Sequence, residues 1–310
     1  MSDVFIKPNE EQIRDALGRY APELAAEAIE FLGEGWDTWA FSAAEHVLRF
    51  PKDAGVIDTL EKERRLAPAI APYVSVPVPS FDVYGATGPN GAPFLGHRRL
   101  PGVLVLEAKP AKWSKTLGRD LGRFVRELHA FPVEKALELG VPLDEGPTLR
   151  ADRMRQYERV IRLVFPLVSC EARSHIEAMY DANLNEPANF HYQPCLVHRD
   201  LDSNTLVDPA TGALTAVIDF GDAIVSNPAF DFWLPAFGFK RLGIEVQTRP
   251  CLEEAGIGDD ELRPLLPELE FINFRWPLMD IMHGLEIADE SYIEEGIKAL
   301  NESLPRELRC

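Results

Sequence analysis

Residues 195–223 read CLVHRDLDSNTLVDPATGALTAVIDFGDA, and the fold is decided by how this stretch is read. It joins a His-x-Asp loop, His198 to Asp200, to a second aspartate, Asp219, through a short hairpin whose turn is PATGA. Phosphoryl transfer from a nucleoside triphosphate needs a carboxylate that orients the acceptor hydroxyl. It also needs carboxylates on the metal ions that neutralise the phosphates. Asp200 suits the first role and Asp219 the second. His198 belongs to the same catalytic loop and is read as its hydrogen-bonding brace. Aspartates are also ordinary turn residues, but the order and spacing of the two elements favour the chemical reading.

Working outward, residues 31–41 read FLGEGWDTWAF and residues 47–52 read VLRFPK. A glycine turn lets backbone N–H groups approach phosphates. Gly33, Gly35, Trp36, Asp37 and Thr38 are therefore candidates for the nucleotide. Strand alternation sets Val47 and Arg49 on one face. Arg49 is placed to pair with the α/β-phosphates, with Lys52 in reserve. The following helix, expected over 59–70 with Thr59 as N-cap, offers Glu63 as the partner of Arg49. A first helix is expected over 10–31 from Ile13, Leu17, Tyr20 and Leu24, and an amphipathic one over 117–131. The expectation is an α+β chain with a β-rich N-lobe (residues 1–100), a larger, mainly helical C-lobe (101–310), and a cleft between them.

The 310 residues carry a formal net charge of -18. Such a charge argues against nucleic acid and anionic membrane as partners; it would favour a cationic small molecule through long-range steering, or serve only to keep the protein soluble. Cys170, Cys195, Cys251 and Cys310 form no CxxC pair. With no signal-peptide pattern and no long apolar run, a reduced cytoplasmic setting is expected. His46, His129, His175 and His191 have no metal-ligand spacing.

The chain resembles the aminoglycoside phosphotransferase family, and most closely its 2''-phosphotransferases. The motifs that carry the resemblance are FLGEGWDTWAF, VLRFPK, PFLGHRRLPG (93–102), RFVRELHAF (123–131), VHRDLDSNTLVD, VIDFGDA with NPAFDF (227–232), and FRWPLMDIMHGLEIADESYIEEGIKAL (274–300). The resemblance implies a bilobal protein-kinase-like fold, ATP or GTP as donor, Mg2+, and antibiotic resistance as a role. It assigns Asp200 as catalytic aspartate, Asp219 as magnesium ligand, Glu63 as partner of Arg49, and Arg98, Arg99 and Leu100 as the connector that binds the purine. Asp231 would brace the catalytic loop.

Two departures stand out. The family's second metal ligand falls five residues after the catalytic aspartate, where this chain has Thr205; Asn204 comes one place early. The acidic cluster after NPAFDF is replaced by WLPAFGFKRLG, with Lys240 and Arg241. Asp202, Asp222, Asp280 and Glu286 remain as acids for an amine-bearing acceptor, and Trp276 could stack on it. Rival readings are a kinase of another hydroxyl, on a macrolide or a metabolite, and a nucleotide-binding pseudokinase module. A protein kinase is disfavoured, since no loop ending in APE follows Asp219.

Overall fold

The computed structural model describes residues 4–87 and 91–305, so Cys310 lies outside the described residues. Helix α1 (Glu10–Tyr20) starts on an Asn9–Gln12 capping box, which satisfies two orphan N–H groups reciprocally. The helix expected to run to residue 31 stops at Ala21, because Pro22 follows and opens a short 3-10 turn instead. Strand β1 (Ile29–Glu34) begins within the expected helix. The apolar-aromatic run after the glycine turn is two strands, β2 (Thr38–Ala43) and β3 (His46–Pro51), divided at Ala44, whose φ is 47°.

Helix α2 (Ile57–Ile70) starts two residues before Thr59, after an Asp53-capped 3-10 turn. Thr59 is therefore inside the helix rather than its cap. Strands β4 (Phe81–Ala86) and β5 (Pro93–Arg98) complete an antiparallel sheet of order β1-β2-β3-β5-β4. One face packs Phe41, Leu48, Phe50 and Phe94 against Ile13 and Leu17 of α1. Leu66 and Ile70 at the far end of α2 join the large core beyond the sheet instead. Helix α2 thereby ties the sheet to the rest of the chain.

Strand β6 (Val103–Leu104) pairs with the strand that follows the catalytic loop. Then come helices α3 (Leu117–His129), α4 (Val133–Glu138), α5 (Gly146–Leu163) and α6 (Cys170–Asn185). The motif itself forms β7 (Cys195–Val197), a single turn α7 (Leu201–Asn204), β8 (Thr205–Val207), β9 (Leu214–Val217) and β10 (Ile224–Ser226). Helices α8 (Phe239–Arg241), α9 (Thr248–Glu254), α10 (Asp259–Ile287) and α11 (Glu290–Ser303) follow.

On α3, Leu117, Leu121, Phe124, Val125 and Leu128 are all buried, as helical periodicity requires of a core-facing stripe. The same helix crosses α9 at close range. A Cβ on Gly122 would lie 2.1 Å from the Cys251 carbonyl oxygen, so the two backbones can approach only because residue 122 lacks one. Gly122→Ala is expected to cost about 1–3 kcal/mol through overpacking. A thermal melt checks this, and an unchanged Tm would refute the close-packing argument.

Candidate active site

The cleft has a volume of about 540 Å³. Its walls come from the glycine turn, β3, α2, the catalytic loop, the segment after β9, and α10. The catalytic loop is hung from one carboxylate. Buried Asp231 accepts the His198 N–H on both oxygens at 3.0 Å and the Arg199 N–H at 2.8 Å. Its Oδ2 also meets His129 Nε2 at 3.0 Å. These bonds hold Arg199 at φ 76°, a left-handed conformation that carries strain outside glycine.

His198 Nδ1 accepts the Asp200 N–H at 3.3 Å, so Nε2 carries the proton and donates to the Ile218 carbonyl at 2.9 Å. Both ring nitrogens are committed to the backbone. That geometry makes His198 a brace between the two halves of the motif and leaves it no lone pair for a substrate.

Asp200 points into the cleft. Asn204 Nδ2 donates to its Oδ2 at 2.8 Å, its buried Oδ1 has no amide or hydroxyl donor, and the Asp202 carboxyl lies within hydrogen-bond reach. Burial pushes the Asp200 carboxyl up to about 7, and the neighbouring charge of Asp202 adds to the effect. Asp202 is raised as well, first by its own burial. Asp219 adopts φ 60° and accepts the Gly221 N–H at 3.3 Å.

Arg49 ties three elements together. Its guanidinium donates to Glu63 at 2.7 Å and to both oxygens of Asp219 at 3.1 Å. The other oxygen of Glu63 accepts the Phe220 N–H at 3.2 Å. Glu63 is fully buried, and burial pushes its carboxyl up against the pull of Arg49. The same guanidinium helps to hold Asp219 below the usual carboxylate range despite its burial. Lys52 is taken by Glu34 at 2.6 Å, so it is not a free reserve cation.

Several expected residues meet in this cleft: Gly35, Trp36, Asp37, Thr38, Arg49, Asp200, Asp202, Asn204, Asp219, Asp222, Trp276 and Asp280. Others do not. Gly33 lies behind the turn in β1. Thr205 is wholly buried in β8 and spends its hydroxyl on the Leu201 carbonyl at 2.6 Å. It is thus turned away from any metal, and Asn204 takes the cleft-facing place. Glu286 pairs with Arg159 on the outer surface. Arg98 and Arg99 are exposed beyond the cleft lining; the Arg99 N–H is spent on Glu45 O at 2.7 Å and the Arg98 carbonyl accepts from His97 Nδ1 at 2.8 Å. Leu100, half-buried, does not line the cleft either.

The sequence reading missed Arg275, Ile272, Trp233 and Tyr292, which also line the cleft. Ile272 lies four residues before Trp276 and eight before Asp280, so helical spacing was the available signal for it; Arg275, one residue before Trp276, had no such signal. Trp36 stacks on His283 of α10 with centroids 3.8 Å apart, bringing the tip of the glycine turn onto the far wall.

The metal-ligating capacity is oxygen-based. Asp219, Asn204 and Asp222 are hard donors, and Asp37 is raised by burial and by the nearby charges of Asp222 and Asp219. Among the described residues no three His, Cys, Asp or Glu side chains form a metal cluster on their own. A magnesium ion keeps part of its shell for water and phosphate oxygens, so the donor set fits that ion with a bound triphosphate.

The phosphotransferase enzyme family profile matches residues 28–264. The chain is similar to the GDP and kanamycin complex of APH(2'')-IIIa: 29% identity, 94% of this chain and 97% of that one, TM-score 0.82. The gentamicin complex of APH(2'')-IIa matches at 21% identity over 98% and 99%, TM-score 0.69. Macrolide 2'-phosphotransferase MphH from Brachybacterium faecium matches at 22% over 90% and 93%, TM-score 0.63. The last two, at such identities, show a shared fold.

Proposed function

We propose, from the premise that this chain belongs to the phosphotransferase enzyme family, that it moves the γ-phosphoryl group of ATP or GTP to a hydroxyl of a small, amine-bearing acceptor of the aminoglycoside kind. The observation that carries this reading is the Asp200 carboxylate, with one oxygen fixed by Asn204, in a cleft that also holds Asp219. The fixed oxygen is Oδ2, so Oδ1 is the atom left to receive the acceptor O–H. The hydroxyl is thereby oriented for in-line attack, and its proton passes to Asp200 late, as a loose transition state requires.

Asp219 and Asn204 are the residues that would hold magnesium, with Asp222 close by. When bound, that ion neutralises charge on the triphosphate oxygens. The backbone of residues 35–38 covers the phosphates, Arg49 pairs with them, Glu63 fixes Arg49, and the connector Arg98 to Leu100 takes the purine. Asp202, Asp222 and Asp280 receive the acceptor's ammonium groups, with Trp276 against its ring. A second reading, an acceptor outside the aminoglycosides, is favoured by one observation: Arg241 lines the cleft where a polycation would have to lie. No helix among the described residues is long and apolar enough to cross a membrane. The proposed setting is the cytoplasm, with drug modification as the role.

The test is release of nucleoside diphosphate with ATP and with GTP across aminoglycosides, macrolides and simple sugars. Release that rises only with amine-bearing polyols is expected; release indifferent to every acceptor would sink the reading. A pH profile adds a mechanistic check. Asp200 acts ionised, and its carboxyl is raised to about 7, so kcat/KM should fall as pH drops through that value. Asp202→Asn removes a neighbouring negative charge and should move this acid limb to lower pH. A limb that stays in place would separate Asp202 from the titration of Asp200.

A further inference from the structure

Four arginines line the cleft, and the fold answers two of them. Arg49 has Glu63 and Asp219. Arg241 lies 5.3 Å over the Trp233 ring, and its charge reaches Asp202 and Asp280. Arg275 and Arg199 are different. Their guanidinium carbons sit 5.8 and 5.3 Å from the centre of the same ring, Phe230. Among the described residues neither guanidinium has an ion pair or a hydrogen-bond acceptor, and Arg275 Nε is buried with no partner.

The carboxylate whose charge acts on Arg275 has both oxygens bonded elsewhere. Glu268 is buried, with one oxygen on Arg153 and the other accepting Asn183 Nδ2 at 2.9 Å. Its charge reaches Arg275 too, but neither of its oxygens bonds the Arg275 or Arg199 guanidinium. Burial, then the charges of Arg153 and Arg199, push the Arg275 guanidinium down to about 9. It still carries its proton at neutral pH. Beside it Trp276 Nε1 is a second buried donor without an acceptor. Buried donors are almost always paired, and an unpaired guanidinium is costly to keep. Two such donors, on successive residues that both line the cleft, call for an acceptor from outside the chain.

We infer that Arg275 and Arg199, which share the Phe230 ring and feel each other's charge, form an oxyanion-receiving corner of the acceptor site. It takes a carboxylate or phosphate group of the same molecule whose amine meets Asp202 and Asp280. The acceptor class is thus a zwitterionic amino sugar or aminocyclitol. This rests on the hydroxyl-phosphotransferase reading above and names its substrate more narrowly. A polycation without an acidic group would place a like charge at this corner, whereas a zwitterion answers both walls.

The test compares glucosamine with 2-amino-2-deoxyglucuronic acid, which adds one carboxylate. Binding is measured by calorimetry on the full chain with magnesium and a non-hydrolysable ATP analogue, so that the nucleotide's phosphates fill their own sites. A charge-assisted hydrogen bond corresponds to a preference for the acid of about tenfold or more. That preference should fall to near parity in Arg275→Gln. The variant should melt no lower than the wild type without ligand, because it removes an unanswered charge. The proposal is overturned if the wild type shows no preference, or if Arg275→Gln keeps it. Thermal shifts in sulfate against chloride at equal ionic strength separate the sources. A sulfate effect with no preference for the sugar acid gives the corner to a free anion, and also overturns the acceptor assignment.

Turnover of the same pair with ATP is scored separately. Acid preference in binding, lost in Arg275→Gln, but without diphosphate release, would sink the phosphotransferase reading and leave the corner standing. Turnover without acid preference would do the reverse.

Discussion

Asp200→Asn is expected to lower kcat by about 10²–10⁴-fold while leaving the affinity for ATP within about twofold of the wild type. The size follows from the loss of a positioned base, and the retained affinity from the geometry. The Asp200 side chain meets Asn204 and Asp202, whereas the groups proposed to face the phosphates hang on Arg49, Glu63 and Asp219. The asparagine keeps an oxygen to accept the Asn204 amide, so the loop retains its shape. Calorimetry with ATP and single-turnover kinetics read the two quantities separately. Wild-type kcat in this variant would remove Asp200 from the chemistry, and lost ATP binding would mean that it supports the nucleotide instead.

Glu63→Ala should have the largest effect on stability, about 3–5 kcal/mol, because it breaks a buried ion pair from one side. Arg49 would keep Asp219 but lose its 2.7 Å partner, and the Phe220 N–H would lose its acceptor. Arg49→Met with Glu63→Leu replaces both charges by apolar groups of similar reach. That double variant should be less destabilised than Glu63→Ala alone, since no orphan charge remains. Its ATP affinity should nonetheless fall, because Arg49 is then absent. Denaturant titration and calorimetry test the pair of statements. Equal stability of the single variant and the wild type would contradict the burial of Glu63.

These predictions rest on residues of unequal legibility. The phosphotransfer motif is nearly contiguous, so local order announced it: the His198–Asp200 loop and Asp219 are joined by a hairpin that the sequence spells out. Arg49 was legible from strand alternation, since a period of two fixes the face of each side chain. Glu63 was legible from its place on the following helix. The N-terminal helix was overextended because Leu24 kept the apparent period, although Pro22 ends the run. Alternation also could not locate the break at Ala44, where a left-handed residue divides β2 from β3.

Spacing alone could not choose between Asn204 and Thr205. The single turn of α7 swings the Asn204 amide back to Asp200, four residues earlier, while Thr205 enters a buried strand. Nor could it choose between Asp280 and Glu286. Six residues at about 100° each set Glu286 roughly 120° round α10 from Asp280, to Arg159 on the outside.

The sequence by itself determined the reaction type, the family and the kinase-like fold, because the groups that handle phosphate lie on short local motifs with fixed periodicity. The tertiary structure alone decided which acids line the cleft, how Asp231 hangs the loop, and that Arg275 reaches the cleft. Those outcomes depend on how α2, α10 and the catalytic loop pack across more than 200 residues of chain. Packing at that range is set by the summed burial of the core, which no local pattern records.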